Sequence, residues 1–430
     1  LAPPLVALAV SIVLATLLPA CTNNPITPST ITLQKTPTPE MAGGEPVLPH
    51  SQIFFQKAPL PTAADLQFGY DSWTLNGHDS ASTRSVVLSP CCHFNTPAPL
   101  WYTSLGVPLL YAPTIGNGHI YLLASDGFLH VLNIQNGVEQ WRVPVGGELT
   151  SSGVAMAHSM IYLALAGHFV AALDANNGQE RWRFDTGGIV HAAPFVVGRL
   201  LLVASGANSL WCLDALTGAK YWVFHSEDTL AQFWPTNTTP AVADGEVYVA
   251  LGASNEFNVL DLQTGRKVWE YALHERMTGG PMLNTRQGLV YIITWSGRVL
   301  ALDTHSGFMR WETKLPTGSE SSPALSQELN MLYLGSFDGS IYTLDATTGH
   351  IQWHISAVHA ITTSPVVVQV ATQNWLIVAT SGGSCLILDA RTGNQLQTWN
   401  LGELRASPVV AQGVLYQASL GDQGLFAFTL

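Results

Sequence analysis

The residues that could bind a ligand share one position, three residues before a proline that returns about every 40 residues. Most of them are polar, and they include a carboxylate, a guanidinium and an imidazole, which can hold a polar ligand through charge and hydrogen bonds. The eight occupants are Leu110, Thr150 (where Gly153 replaces the proline), His191, Asn237, Thr278, Glu320, Thr362 and Arg405. The alternative interpretation is a hydrated rim that binds only water.

One of the segments that lead to this position differs from the others. Phe224–Thr239 is longer than its counterparts and carries acidic, amide and aromatic side chains. Aromatic and polar groups that converge over an opening are typical of a binding site. We therefore predict a candidate rim for a ligand or a protein partner, formed by His191, Asp228, Gln232, Trp234, Asn237, Glu320 and Arg405.

Metal and hydrolytic chemistry is not indicated by the remaining patterns. His350, His354 and His359 are close in sequence, but the first falls in a turn and the second follows Trp353, so we expect their rings to diverge. The sequence has no zinc-type Cys/His spacing, no Gly-x-Ser-x-Gly and no His-Glu-x-x-His. We predict no metal site and no catalytic residue.

The candidate rim must be positioned by short strands, as the stretch Pro323–Trp353 shows. Its sequence predicts three strands and the start of a fourth, joined by the turns Phe337-Asp338-Gly339 and Asp345–Gly349. Asp345 should accept backbone N–H groups inside its turn. Trp353 is the largest side chain of the unit and is predicted to anchor its packing.

This unit repeats along the chain, and its period predicts the fold. Tryptophans about 40 to 47 residues apart follow an Asp or Asn and a turn glycine. Four strands per repeat are typical of propeller blades. The segment after Ser407 holds three strands, so we expect the strand of Trp101 to complete it, which gives an all-β, eight-bladed propeller closed by its N-terminal and C-terminal strands. The predicted blade-packing residues are Trp101, Trp141, Trp182, Trp222, Trp269, Trp311, Trp353 and Trp399.

The repeat SP…G…Y…DG…LD…TG…W resembles the pyrroloquinoline-quinone-like (PQQ-like) propeller repeat over roughly residues 100–430. Ser72–Asp79 also resembles the lead-in of that family. Quinoprotein dehydrogenases and an outer-membrane barrel-assembly lipoprotein share this fold. The resemblance implies the fold more strongly than any one function, because one fold hosts unrelated functions.

Two functions follow from the resemblance as expectations. A quinoprotein alcohol or sugar dehydrogenase would need PQQ, Ca²⁺, a catalytic Asp and an aromatic floor; Asp228, Asn237, Glu320 and Trp234 could be imagined in those roles, but their spacing does not require it. The chain also lacks long insertions between blades. We therefore favour a cofactor-free module that binds an envelope protein or an extracellular ligand through the loops of one face, and regard catalysis as uncertain. A sensor or carbohydrate-associated module is favoured only by Trp234.

Composition excludes some partners. Only 11% of the 430 residues are charged and the formal net charge is −12, against a usual charged share of about 25%. The acidic balance and the absence of a basic run argue against nucleic acid. We expect a monomer.

The N-terminal residues predict export. Residues 1–20 carry no charge and precede Cys21, and Leu18–Cys21 resembles a bacterial lipobox, in which the cysteine is lipidated. An uncleaved transmembrane anchor and simple secretion are the alternatives. Residues 22–60 are rich in Pro, Thr, Ser and Asn and should form a disordered tether, followed by an irregular lead-in over 61–99 that packs on the propeller. All alternatives place the propeller, 100–430, outside the cytoplasm.

The other cysteines divide into two pairs. Cys212 and Cys385 fall in the third strands of distant blades and are expected to be buried free thiols. The adjacent Cys91 and Cys92 are similar to the vicinal disulfide that alcohol dehydrogenases of the resembling family place against their quinone, although they precede the first propeller strand here. A structural disulfide, unpaired thiols and a contact with a cofactor remain open for them, and the first two are favoured.

Overall fold

The computed structural model describes residues 58–61, 74–75, 78–79, 81–88, 98–145, 153–165, 168–206, 208–226, 238–251 and 256–430. All of them belong to one unit, Phe54–Leu430. Within these ranges there is no helix long and apolar enough to span a membrane. The expected lipidation residue Cys21 and the tether lie outside the described residues.

The described strands form eight sheets arranged as the blades of a ring. Two strands, β1 (Ser85–Leu88) and β2 (Trp101–Ser104), precede the first blade. Blade 1 contains β3 (Thr114–Gly116), β4 (His119–Leu123), β5 (Phe128–Asn133) and β6 (Glu139–Pro144), and blade 2 contains β7 (Ala155–Ala157), β8 (Met160–Ala164), β9 (Phe169–Asp174) and β10 (Glu180–Asp185). Blade 3 contains β11 (Phe195–Val197), β12 (Leu200–Ser205), β13 (Ser209–Asp214) and β14 (Lys220–His225), and blade 4 contains β15 (Ala241–Ala243), β16 (Glu246–Ala250), β17 (Glu256–Asp261) and β18 (Lys267–Ala272). Blade 5 contains β19 (Met282–Asn284), β20 (Leu289–Ile293), β21 (Arg298–Asp303) and β22 (Met309–Lys314), and blade 6 contains β23 (Ala324–Ser326), β24 (Met331–Gly335), β25 (Ser340–Asp345) and β26 (Ile351–Ser356). Blade 7 contains β27 (Val366–Val370), β28 (Gln373–Ala379), β29 (Ser384–Asp389) and β30 (Gln395–Asn400), and blade 8 contains β31 (Val409–Ala411), β32 (Val414–Ser419) and β33 (Gly424–Thr429).

The eight-bladed propeller and its closure are confirmed. Strand β2 pairs antiparallel with β33, with Trp101 opposite Ala427, so that the chain's first propeller strand completes its last blade. Inner strands such as β3 and β23 are buried throughout, whereas outer strands such as β26 alternate between half-buried and exposed residues. The alternation follows the pleat of a strand that has one face on the neighbouring blade.

The repeated turn is held as predicted from the sequence. Asp345 Oδ1 accepts the backbone N–H groups of Thr347 and Thr348 at 3.0 and 2.8 Å, and the Thr348 hydroxyl at 2.9 Å. The turn then reaches Gly349, whose φ of +74° lies in the left-handed region that favours glycine. The same arrangement recurs at Asp389, which accepts the backbone N–H groups of Arg391 and Thr392.

The repeat tryptophans lie between blades. Seven of them pack on the turn glycine of the next blade, where a side-chain carbon added to the glycine would lie 2.5 to 3.0 Å from the indole. Trp222 Nε1 also donates to the Leu262 carbonyl of the next blade at 3.0 Å, and Trp311 Nε1 donates to Ala346 at 3.1 Å. The seven pairs are Trp101–Gly137, Trp141–Gly178, Trp182–Gly218, Trp222–Gly265, Trp269–Gly307, Trp311–Gly349 and Trp353–Gly393.

Trp399 packs differently from the other seven. It lies two residues beyond the equivalent position, which Gln397 occupies opposite Ile387, whereas Trp399 stands opposite Cys385. Its ring stacks on Phe428 of blade 8, with centroids 4.2 Å apart.

The lead-in, which was predicted to be irregular, contains a strand. β1 pairs parallel with β27, the inner strand of blade 7, and makes that sheet five-stranded. Further backbone bonds of 2.9 to 3.0 Å tie the lead-in to inner strands of blades 2, 5 and 6, with the carbonyls of Thr74, Ala81 and Thr83 as acceptors. Val86 and Leu88 are buried. These described residues of the lead-in therefore lie along the inner edges of four blades.

Candidate functional site

The predicted rim is only partly covered by the described residues. We call the end of the ring where loops enter the inner strands the upper face, and the other end the lower face. His191, Glu320 and Arg405 lie on three separate upper-face loops, and Arg405 Nε donates to Glu403 Oε1 at 2.9 Å. Within the described ranges no hydrogen bond or ion pair joins these three side chains. Asp228, Gln232, Trp234 and Asn237 lie outside the described residues.

A cluster of aromatic and cationic side chains occupies the upper face at blades 5 to 7. The guanidinium carbon of Arg276 lies 3.8 Å from the centre of the Trp295 ring, a cation–π contact. Trp295 meets Phe337 edge to face, with ring centroids 5.2 Å apart. Trp295 is 42% exposed and Val358, on the next loop of this face, is 80% exposed. We call Arg276, Trp295, Phe337 and Val358 the upper-face patch.

Backbone contacts fix the two aromatic turns of the patch. Trp295 N donates to the Arg276 carbonyl at 3.0 Å, and Phe337 N donates to the Gly318 carbonyl at 3.0 Å. Gly318 allows the turns to approach, because a side-chain carbon there would overlap the Trp295 carbonyl and lie 3.2 Å from the Phe337 ring. The aromatic pair is therefore held before any partner arrives.

An ion-pair network supports the Trp295 turn from below. Arg298 donates to Glu312 through Nε at 2.7 Å and Nη2 at 3.1 Å, and its Nη1 lies 3.3 Å from Glu275. Glu275 in turn accepts the backbone N–H of Ser296 at 3.2 Å. Burial raises the pKa of Glu275, but hydrogen bonds from Ser296, Thr294 and Arg298 outweigh it and leave the pKa below its usual value. The hydrogen bond from Arg298 likewise lowers the pKa of Glu312.

Val358 adds a conformational signal to the patch. Its φ is +72°, a left-handed conformation that a β-branched residue rarely adopts. Ala357 N, one residue earlier, donates to the Gly339 carbonyl at 2.7 Å and ties this loop to the turn that carries Phe337. Strained, exposed apolar residues tend to lie at binding sites, where the surrounding structure holds them in place.

This patch was not among the sites predicted from the sequence. Trp295 stands outside the register of the repeat tryptophans, in Trp295-Ser296-Gly297, a turn between the second and third strands of its blade. A tryptophan in this turn is not one of the blade-packing tryptophans, and this difference was the signal in the sequence that could have indicated a functional role for Trp295. Its contact with Phe337 joins turns of two different blades, which spacing along the chain does not reveal.

A polar cavity of about 400 Å³ lies on the lower face. One wall comes from the lead-in and the other from the turns that follow the inner strands of blades 5, 6 and 7. The lining residues are Asp79, Thr83, Ser85, Val87, Arg286, Ser326, Gln327, Glu328, Gln369 and Asn374.

Of the four residues imagined in a quinone and calcium site, Glu320 is the one that the structure describes. Ca²⁺ requires several converging oxygen ligands, whereas Glu320 is exposed and its imagined companions Asp228, Asn237 and Trp234 lie outside the described residues. No group of three or more His, Cys, Asp or Glu side chains converges within the described ranges. His354 stacks on Tyr342, with ring centroids 5.6 Å apart.

The described cysteines are structural. Cys212 and Cys385 are buried free thiols, as predicted, and burial raises the pKa of Cys385 to about 12. A thiol with so high a pKa is a weak nucleophile at neutral pH. Cys91 and Cys92 lie outside the described residues.

Known proteins resemble this chain in sequence and in fold. The family described as outer membrane protein assembly factor BamB matches residues 91–150, 141–281 and 255–428. BamB of Xanthomonas campestris pv. campestris is 45% identical over 73 residues, which are 15% of this chain and 17% of that protein. The match thus spans less than a fifth of that relative's length.

Two solved structures show the same fold at low identity. BamB from Moraxella catarrhalis has a TM-score of 0.62 and 19% identity, covering 76% of this chain and 98% of that one. A europium-containing methanol dehydrogenase has a TM-score of 0.71 and 15% identity, covering 85% and 99%. These likenesses show the fold alone. Because the family match extends over nearly all of residues 91–428, the chain belongs to the BamB-type family of PQQ-like propellers.

Proposed function

We propose that the protein is a cofactor-free interaction module that binds an envelope protein through the upper-face patch. The observation that carries this proposal is the exposed Trp295, held rigidly between Arg276 and Phe337. Tryptophan and arginine are enriched among the few residues that dominate protein interfaces. Holding the side chains in place beforehand lowers the entropy cost of binding.

The family supports the class of partner. Its members are described as outer membrane protein assembly factors, so a protein of the cell envelope is the partner we propose for this chain. The quinoprotein alternative rests on fold likeness to a dehydrogenase at 15% identity, and the described side chains add nothing to it. We therefore propose a non-enzymatic role.

Crosslinking from the two faces tests the proposal. A photoreactive residue in place of Phe337 should yield one discrete adduct with an envelope protein in intact cells. The matched control replaces Phe308, which is 75% exposed but lies on the lower face, in the turn between β21 and β22. An identical adduct pattern from both positions, or none from position 337, would contradict an upper-face interaction.

We also propose that the propeller is held at a membrane by a lipid on Cys21, outside the cytoplasm. The apolar residues before this cysteine and the lipobox-like Leu18–Cys21 support this placement. Cys21→Ala should move the protein from the membrane fraction to the soluble fraction or the medium. Unchanged retention would favour a transmembrane anchor instead.

A further inference from the structure

We propose that the lower-face cavity is a second binding site, which takes a small zwitterion such as an α-amino acid or a dipeptide. The site is separate from the upper-face patch, because its walls are the lead-in and the turns at the other end of blades 5 to 7. Its volume of about 400 Å³ lies near the lower end of the ~300–1,000 Å³ range of small-molecule sites. Such a volume suits one or two amino-acid units better than a folded partner.

Asn374 and Glu328 offer hydrogen-bond acceptors that lack donors among the described residues. Asn374 is only 7% exposed, and its Oδ1 has no hydrogen-bond partner among the described residues. Its Nδ2 donates to Glu328 Oε2 at 3.0 Å, and no donor reaches Glu328 Oε1 within the described part of the chain. Glu328 is exposed, but Asn374 Oδ1 is a buried acceptor, and leaving it without a partner costs free energy. A ligand that donates a hydrogen bond to it would stabilise this wall.

Asp79 adds negative charge on the lead-in side. Its Oδ1 accepts the Thr83 backbone N–H at 2.9 Å and its other oxygen accepts the Thr83 hydroxyl. These bonds fix the carboxylate but leave each oxygen a lone pair. Two carboxylates and an amide oxygen around one cavity favour a ligand with a primary ammonium group, which has three donors and a positive charge.

Arg286 supplies the opposite charge at the opening. It lies in the turn between β19 and β20 and is exposed, and no ion pair engages it among the described residues. A guanidinium matches a carboxylate in shape and can bind it through two hydrogen bonds. An ammonium group toward the acceptor wall and a carboxylate toward Arg286 together define a zwitterion.

The lead-in strand shapes the cavity through its alternation. Thr83, Ser85 and Val87 line it, whereas Arg84, Val86 and Leu88 point away and are buried. Val87 is 45% exposed and provides an apolar surface for the ligand's side chain. The strand's pairing with β27 fixes this wall, so the cavity is formed without the ligand.

Calorimetric titration of the purified full chain with each common amino acid and with dialanine tests the site. At least one should bind saturably, and both Glu328→Gln and Arg286→Gln should weaken that binding by about tenfold or more, as expected for loss of one charge-assisted hydrogen bond. Arg266→Gln is the matched control, because Arg266 is also exposed on the lower face but does not line the cavity. It should leave the affinity unchanged.

Three outcomes would overturn the proposal. The first is that no member of the panel binds saturably, and the second is that both cavity variants bind the ligand as tightly as the wild type. The third is that simple amines bind as tightly as amino acids and that Arg286→Gln does not change their affinity. Unchanged thermal midpoints of the variants, measured alongside, separate loss of the ligand from loss of the fold.

Discussion

Tryptophan has two roles in this molecule, and the surroundings of each tryptophan determine which role it has. Trp222 is 5% exposed and donates its indole N–H to the next blade, so it belongs to the ring's packing. Trp295 is 42% exposed and lies in a turn, where Arg276 and Phe337 hold it against only part of its surface. The free part of the ring is available to a partner.

At the residue scale, Trp295→Ala should weaken capture of the crosslinked envelope partner by about tenfold or more, since such central aromatic residues often contribute 2 kcal/mol or more. The free energy of unfolding should change by less than about 1 kcal/mol, because the side chain is outside the core. Phe308→Ala, an exposed aromatic of the lower face, is the control for binding. Equal losses from both variants would argue against a specific patch.

At the scale of the blade, the stacked tryptophan and glycine join one element to the next. Trp222→Ala should lower the free energy of unfolding by about 3–5 kcal/mol, the usual cost of removing a large buried aromatic side chain. Denaturant unfolding measures this loss, and Trp295→Ala is the matched tryptophan control. A loss below about 1 kcal/mol for Trp222→Ala would mean that the interblade stack contributes little.

The turn that carries Trp295 should be sensitive to acid. Glu275 and Glu312 have folded pKa values below their usual 4.5, so the unfolded chain binds more protons in acid. Their stabilising contribution is therefore complete above pH 4.5 and is lost as the pH falls further through the folded pKa values. The free energy of unfolding, measured across this pH range, should fall less towards acid pH in Arg298→Gln than in the wild type.

Arg266→Gln provides the comparison for this pH dependence, because Arg266 makes no ion pair with either glutamate. Its free energy of unfolding should fall towards acid pH as much as that of the wild type. Identical pH profiles for Arg298→Gln and the wild type would contradict the role assigned to the network.

Element prediction worked where a pattern repeats and failed where it does not. The turn at Asp345–Gly349 and the strands around it were predictable because each repeat restates the same local chemistry. Strand β1 was not, because it is four residues long, occurs once and pairs in parallel with a strand some 280 residues away in sequence. Its alternation of buried Val86 and exposed Val87 is too short to distinguish from a loop.

At the scale of the whole molecule, the period of the tryptophans determined the ring and its closure. The binding surfaces were harder to predict, since both join residues from different blades. The upper-face patch brings Trp295 of blade 5 to Phe337 of blade 6, and the lower-face cavity brings Asp79 of the lead-in to the turns of blades 5 to 7. Such contacts depend on how blades sit side by side, which the repeat alone does not encode.

The described residues of the lead-in join blades that are distant in sequence. Their backbone carbonyls accept hydrogen bonds from the inner strands of blades 2, 5, 6 and 7, and β1 adds a fifth strand to the sheet of blade 7.

The choice between an interaction module and a quinoprotein dehydrogenase is tested most directly by titrating the purified full chain with PQQ and Ca²⁺, followed by absorbance and thermal midpoint. We predict no saturable binding and no stabilisation. Saturable binding with a raised midpoint, lost in Glu320→Gln, would contradict a cofactor-free module and establish a quinone site on the upper face.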